Sequence, residues 1–172
     1  GLAGSDQVNV DTIPPEVAND ADDVTESTAQ QPDNKSVATG DVLTNDSSSD
    51  GVKVVTEFKV TVDGVEQSAA AGDSIITKYG TVTIQADGTY TYTLDNTRPA
   101  TKQLNTGDSP VEEITYVVSD QSGNTVEAIL AVTVNGTNDV PTVVLGEESI
   151  TPIVTNGWFS SVPTAQNTAQ NN

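Results

Sequence analysis

Between residues 79 and 95 apolar and polar positions alternate strictly. Val82 and Ile84 share one side of a first segment, and Tyr90, Tyr92 and Leu94 share one side of a second. Thr81, Thr83, Thr89, Thr91 and Thr93 take the opposite side of both. A period of two is the period of a strand, and β-branched hydroxyl residues suit a wetted sheet face. Asp87-Gly88 divides the segments, a dipeptide that readily supplies the positive φ angles of a two-residue hairpin turn. A second alternation places Val54, Thr56, Phe58, Val60 and Val62 on one side and Val55, Glu57, Lys59 and Thr61 on the other, turned by Asp63-Gly64. Ile114, Tyr116 and Val118 form another inward face, turned at Asp120 to Asn124. The last is Val126, Ala128, Leu130, Val132 and Val134.

Weaker signals fill the gaps. Val37 to Leu43 reads as a short strand, and Ile75 and Ile76 lead into the hairpin. Ala69 to Gly72 reads as loop because Gly and Asp bound it. The polar connection from Asn96 to Pro110 carries a helical turn around Ala100 to Leu104. Strands of this length separated by turns, with almost no helical periodicity, predict an all-β chain folded as an antiparallel β-sandwich. Its core is expected to contain Phe58, Val60, Val82, Ile84, Tyr90, Tyr92, Ile114, Tyr116, Leu130 and Val132, with Lys59, Thr83, Thr91 and Glu127 exposed. A one-residue slip would invert every one of these assignments. The threonine ladders of the hairpin, two strands wide, make too small a flat array for an ice-binding face.

The sandwich is assigned to residues 19–139. Residues 1–18 read as the end of a preceding module or a linker: Gln7 to Asp11 suits a last short strand, and Thr12-Ile-Pro-Pro15 a stiff exit. Residues 140–172 read as a linker and the opening of a following module. Alternatively, Val143 to Leu145 adds a strand to this sandwich. Trp158-Phe159 suits burial against a next module rather than sugar stacking, and the tail from Pro163 to Asn172 is too polar to order itself.

Charge narrows the partners. Six Lys and Arg face 25 Asp and Glu, for a formal charge of -19, which would repel nucleic acid and anionic membranes alike. No run is long enough to span a membrane, and no export leader is read in a sequence that begins at Gly1, which leaves a signal elsewhere in a larger protein open. The chain has no His, Cys or Met. A bound metal would therefore be held by oxygen, which means Ca²⁺ or Mg²⁺. The usual general base and the best nucleophile are both missing, and no carboxylate occupies an apolar strand position that would raise its pKa for glycosidase chemistry. No enzyme is expected.

Several segments together resemble a known family. Gly40-Asp-Val-Leu-Thr-Asn-Asp46 with Asp50-Gly51, Tyr79 to Ile84 with Ala86 to Asn96, Ile114 to Asp120, and Gly136-Thr-Asn-Asp-Val-Pro141 are similar to the VCBS and cadherin-like repeats of giant bacterial RTX adhesins. The resemblance covers roughly residues 19 to 141. It implies an Ig-like or cadherin-like Greek-key sandwich, tandem neighbours on the same chain, type I secretion to the cell surface, Ca²⁺ binding, and a role in cell attachment and biofilm formation.

Four groups of residues are candidate Ca²⁺ ligands. Asp46-x-Ser48-x-Asp50-Gly51 places oxygens at alternate positions with Gly at the turn, like the start of a Ca²⁺ loop, and Glu57 stands where an EF-hand's twelfth residue would lie. Both flanks read as strand, so the full EF-hand is set aside. Ser48 and Val52 also stand where the family usually carries acids. An Asx-rich turn without metal explains the same residues. Asn138 and Asp139 form a junction cluster before Pro141. Asp20, Asp22, Asp23 and Glu26 form another, placed at the opposite end of the core by the argument that an odd number of strands sends the termini to opposite poles. Asp120 and Asn124 could contribute as well, although a hairpin tip explains them better.

The reading is a Ca²⁺-binding structural extender of a large surface adhesin, monomeric as a fragment, whose partners are its tandem neighbours. One alternative is a ligand-binding module that uses the 96–110 loops on a glycan or protein of a host or biofilm surface. The other is a noncatalytic module of a secreted enzyme.

Overall fold

A computed structural model describes residues 11–139. Within them, nine strands and one helical turn follow in order: β1 (Asp20–Thr25), β2 (Val37–Asp41), β3 (Val54–Val62), β4 (Val65–Ala70), β5 (Ser74–Ile76), β6 (Gly80–Ile84), β7 (Thr89–Leu94), α1 (Pro99–Lys102), β8 (Val111–Ser119) and β9 (Thr125–Asn135). They make a five-stranded sheet, β1-β9-β8-β3-β4, and a four-stranded sheet, β2-β7-β6-β5. The chain passes repeatedly between the sheets, and β8 returns to lie beside β3 as in a Greek key. The readings at Gln7 to Val10, Val143 to Leu145, Trp158-Phe159 and residues 163–172 lie outside the described residues.

The inward face of each strand meets the other sheet in one core. All ten residues expected inside are buried, among them Phe58, Tyr92, Ile114, Tyr116 and Leu130. Thr91 and Glu127 are exposed, while Lys59 and Thr83 are half-buried.

Several local expectations need correction. The alternation of β3 is not continuous: Val55 pairs with Val118 but Glu57 with Val117, so Thr56 is an extra residue. This β-bulge flips the strand's first residues, burying Val55 and exposing Val54. Ala69 and Ala70 belong to β4, opposite Phe58 and Glu57, because main-chain pairing to β3 outweighs a composition that reads as loop. The two-residue turn with both φ angles positive is Asp63-Gly64, at 47° and 82°. At Asp87-Gly88 only Gly88 is left-handed, φ 91°. There the Gly88 N–H bonds the Gln85 carbonyl and the Gln85 N–H bonds the Thr89 carbonyl, a type I turn closed by a bulge. The threonine face is four strands wide rather than two, since Thr39, Thr91, Thr83 and Ser74 stand in one row.

The acid-rich segment before Val24 is strand β1, and it runs parallel to β9, Asp20 opposite Leu130 and Thr25 opposite Asn135. The sandwich is thus antiparallel everywhere except at this edge. Packed chain begins upstream of residue 19, where Glu16 pairs with Ser47. An entry pole gathers residues 11–19, the 41–50 loop and the 120–124 hairpin tip. An exit pole gathers the 26–34 loop, residues 96–110 and residues 135–139. The termini of the described body do lie at opposite poles. Nine strands that reverse direction at each connection require this, and β1 and β9 run parallel as a consequence.

Candidate functional site

Strand β1 reads Asp20-x-Asp22-x-Val24 and continues to Glu26, so a period of two turns all four toward the side on which Val24 joins the core. Inward acids on an edge strand discourage pairing with other chains, but each needs a partner. Asp20 accepts from the Tyr116 hydroxyl at 2.7 Å and from Asn45 Nδ2 at 3.1 Å. Asp22 accepts from the Tyr90 hydroxyl at 2.8 Å and from Lys35 Nζ at 2.6 Å. Asp23, on the outer side, is exposed and 3.6 Å from Lys35 Nζ.

Glu26 ends this row at the other pole, where its Oε2 accepts the Thr137 N–H at 3.1 Å and Thr137 Oγ1 donates to its carbonyl at 3.0 Å. The 20–26 acids therefore do not form one cluster at one pole. β1 carries Asp20 to the entry pole and Glu26 to the exit pole, where burial first, and then the charge of Asp139, raises the Glu26 pKa against its bond from Thr137. Asn138 is exposed, its N–H on Thr106 Oγ1 at 3.0 Å.

The 46–50 loop divides in the same way. Ser48 Oγ donates to Asp50 Oδ1 at 2.7 Å, and Asp50 Oδ2 accepts the Gln121 N–H at 2.9 Å. These bonds, led by that from Ser48, lower the Asp50 pKa. Asp50 thereby ties the loop to the β8–β9 tip. At that tip Asp120 accepts both the N–H and the Nδ2 of Asn124, each at 2.8 Å, and Asn124 Nδ2 also donates to the Asp11 carbonyl at 3.0 Å. Glu57 lies on exposed β3 surface opposite Ala70.

Asp46 turns the other way, inward, and is 8% exposed. Its Oδ1 accepts the Ala18 N–H at 2.9 Å, while Oδ2 is buried without any partner. The Tyr116 hydroxyl, bonded to Asp20, also lies 3.3 Å from the Ala18 carbonyl and 3.2 Å from that of Val42. Burial chiefly, then the neighbouring carboxylates Asp46 and Asp41, raises the Asp20 pKa. Burial and then Asp41 raise that of Asp46, against its bond from Ala18 and the charge of Lys53. Burial and the Asp20 bond push the Tyr116 hydroxyl well above its ordinary pKa. The structure thus joins Asp20 and Asp46, which fall in separate sequence clusters, and adds Asp41.

The expectation that no carboxylate stands at an apolar position is overturned. Glu112, in phase with Ile114, Tyr116 and Val118, is 7% exposed. It accepts from the Tyr92 hydroxyl, from Thr77 Oγ1 at 2.7 Å and from the N–H groups of Lys78 and Tyr79 at 2.9 and 3.4 Å. Four donors make it a clamp between the sheets. Near it, a groove of about 500 Å³ is lined by Lys59, Glu66, Lys78, Tyr79, Val111 and Glu113, among others.

The oxygen-only donor set and the orphaned Asp46 oxygen fit a hard divalent cation. Among the described residues, no three carboxylates already stand at ligating distance from one another.

The family profile of the bacterial cadherin-like domain matches residues 13–136. A curated relative, the calcium-binding lectin RapA2 of Rhizobium johnstonii, is 33% identical over 108 residues, covering 60% of this chain and 43% of that protein. The chain thus aligns with less than half the length of that relative. Both similarities are to binding or structural modules rather than to enzymes.

Proposed function

The chain belongs to the bacterial cadherin-like domain family, and on that footing we propose that it is a Ca²⁺-binding extender module of a large secreted adhesin at the bacterial surface. The observation that carries this reading is the opposite placement of chain entry and exit. Residues 11–19 join one pole and residues 135–139 leave the other, so copies joined end to end would form a rod. Carboxylates stand at both ends of that axis, Asp20, Asp41, Asp46 and Asp50 at entry and Glu26 and Asp139 at exit. The calcium-binding name of the relative supports an ion at such positions. The residues that would hold it at the entry pole are Asp46, Asp20 and Asp41, and the ion would supply the charge that lets these acids stay close. Tandem VCBS-type repeats, type I secretion, a role in biofilm attachment and a monomeric fragment complete the reading, with no catalytic step.

Extracellular modules bind Ca²⁺ with dissociation constants of about 10⁻⁴ to 10⁻³ M. At roughly ten times such a constant, one site adds RT ln 11, about 1.4 kcal/mol. Thermal melts in EDTA and then in about 10 mM Ca²⁺ should show a rise of a few degrees, with Mg²⁺ as the screening control. An unchanged midpoint refutes Ca²⁺ binding by this module, and an equal rise in Mg²⁺ reduces it to screening. A second reading, glycan binding, is favoured by the relative's name as a lectin and by the groove near Lys78 and Val111. A glycan array separates the two, since an extender binds nothing on it.

A further inference from the structure

We infer that the outer edge of β4 is a self-complementary interface, on which a second copy of this chain pairs antiparallel, strand to strand, about a dyad at Gln67. The contact stands on the geometry of that edge. Only its use, the side-by-side alignment of rods, rests on the extender reading above.

Among the described residues β4 is the last strand of its sheet. The two-residue turn at Asp63-Gly64 makes Val62–Val65 a hydrogen-bonded pair, so the main-chain groups of Val65, Gln67 and Ala69 face β3. Ala71 keeps that phase, its N–H on the Thr56 carbonyl at 2.9 Å. The main-chain groups of Glu66, Ser68 and Ala70 therefore point outward. Ala70 closes the open stretch: its carbonyl accepts the Asp73 N–H at 3.1 Å, and the chain then crosses to the other sheet, with the Gly72 N–H on the Ile84 carbonyl at 2.8 Å. Glu66 and Ser68 remain, each with a donor and an acceptor aimed outward. One antiparallel register matches both to the same two residues on a second copy, Glu66 opposite Ser68 and Ser68 opposite Glu66. It sets Gln67 against Gln67 on the dyad and leaves no like charges directly opposite. It also lays Val65, which is 59% exposed, against Ala69, which already packs on the core. The pairing thus covers an apolar side chain that β4 alone leaves in water.

The edge lacks the usual guards. β4 carries one charge in six residues, with no Pro, no Lys and no bulge. At the far edge of the sheet β1 turns Asp20 and Asp22 inward, and β5, at the edge of the other sheet, is three residues long. Pairing therefore closes at two copies instead of running on into a fibre. Net charge opposes it, since two chains of -19 repel. A single strand pair is accordingly weak at dilution, and it gains from salt and from tandem copies that pair along one line.

The chain has no Cys, so one introduced thiol reports the register. On the full chain, Gln67→Cys places two sulfurs across the dyad in a non-hydrogen-bonded pair, Cα atoms about 4.5 Å apart and within disulfide reach. Ala70→Cys, also at an exposed position, puts its two copies six residues out of step, about 20 Å apart. Under mild oxidation at high chain concentration, Gln67→Cys should form covalent dimer at least about tenfold faster than Ala70→Cys, each rate taken relative to that thiol's reaction with a small disulfide. The rate should rise on going to about 0.5 M NaCl, which shortens the screening length to about 4 Å. Ser68→Pro, added to Gln67→Cys, removes an outward donor without touching the β3 ladder. It should bring linking down to the Ala70→Cys level, with unchanged far-UV circular dichroism showing that the fold is kept. Equal rates for the two thiols, linking that slows as salt rises, or linking that survives Ser68→Pro overturns the interface and leaves the extender reading standing. Assemblies of the parent chain larger than a dimer overturn closure at two.

Discussion

Truncating Glu112 isolates the force that holds the two sheets in register. Glu112→Ala removes the acceptor of four donors: two hydroxyls and the N–H groups of Lys78 and Tyr79. The hydroxyls can turn partly toward one another, as Thr77 Oγ1 and the Tyr92 oxygen already lie 3.4 Å apart. The two N–H groups have no such recourse. At roughly 1–3 kcal/mol per stranded buried donor, the variant should lose about 3–5 kcal/mol, a large share of the 5–15 kcal/mol typical of a whole domain. Glu112→Gln keeps the shape and one acceptor oxygen, and the hydroxyls can accept from its amide. Its cost should be about 1–2 kcal/mol, the difference between charged and neutral bonds. The opposing effect is relief of self-repulsion in a chain of charge -19. One pair of charges about 15 Å apart in water is worth only about 0.3 kcal/mol before screening, so the local bonds should win. Urea unfolding followed by far-UV circular dichroism measures both variants, with an unchanged m-value as the sign that the unfolded reference is shared. If Glu112→Ala and Glu112→Gln match or exceed the parent, charge relief dominates and the clamp is illusory.

Two further outcomes follow from local geometry. A Cβ on Gly80 would stand 2.2 Å from the Thr93 carbonyl oxygen, so Gly80→Ala should force β6 and β7 apart and lower stability by about 1–3 kcal/mol, measured by the same unfolding curve. Asp87 and Asp95 accept from the hydroxyl and N–H of Thr89 and Thr97 respectively, bonds that lower both pKa values. Their share of stability is therefore present above the ordinary carboxylate pKa and lost as pH falls through the lowered one. Carboxyl NMR titration should place both midpoints below the ordinary value, and a midpoint above it contradicts the bonding.

Alternation made most of the core legible, because the period of two runs through β6 to β9 and, Glu112 and Ser119 apart, their buried side chains are apolar. Where it failed, main-chain geometry outweighed side-chain pattern. The Thr56 bulge leaves no mark on an uninterrupted Val, Thr, Phe, Val series, and Ala69-Ala70 became strand because β3 offered a pairing edge. The candidate site was less legible for a different reason. Acidity points to clusters in sequence, whereas parity along β1 turns Asp20, Asp22 and the following Glu26 inward, leaves Asp23 outside, and spreads them from one pole to the other. The signals for Glu112 and for Asp20-x-Asp22-x-Val24 were present as parity. Reading every acid as surface hid them. The tyrosines read as core supplied the missing half, since Tyr90, Tyr92 and Tyr116 each bury a ring and present the hydroxyl to a carboxylate.

The parallel pairing of β1 with β9 also decides how the body bears tension. A pull on its two ends draws β1 toward the entry pole and β9 toward the exit pole, along the strands and in opposite senses. The ladder from Asp20–Leu130 to Thr25–Asn135 is then loaded in shear, all its rungs at once, instead of being unzipped one rung at a time. An antiparallel edge strand of the same length would enter and leave from one end and peel. Six residue pairs along one edge therefore act as a mechanical lock, and its failure under load is set by the rate of that single shearing event rather than by the stability of the whole sandwich.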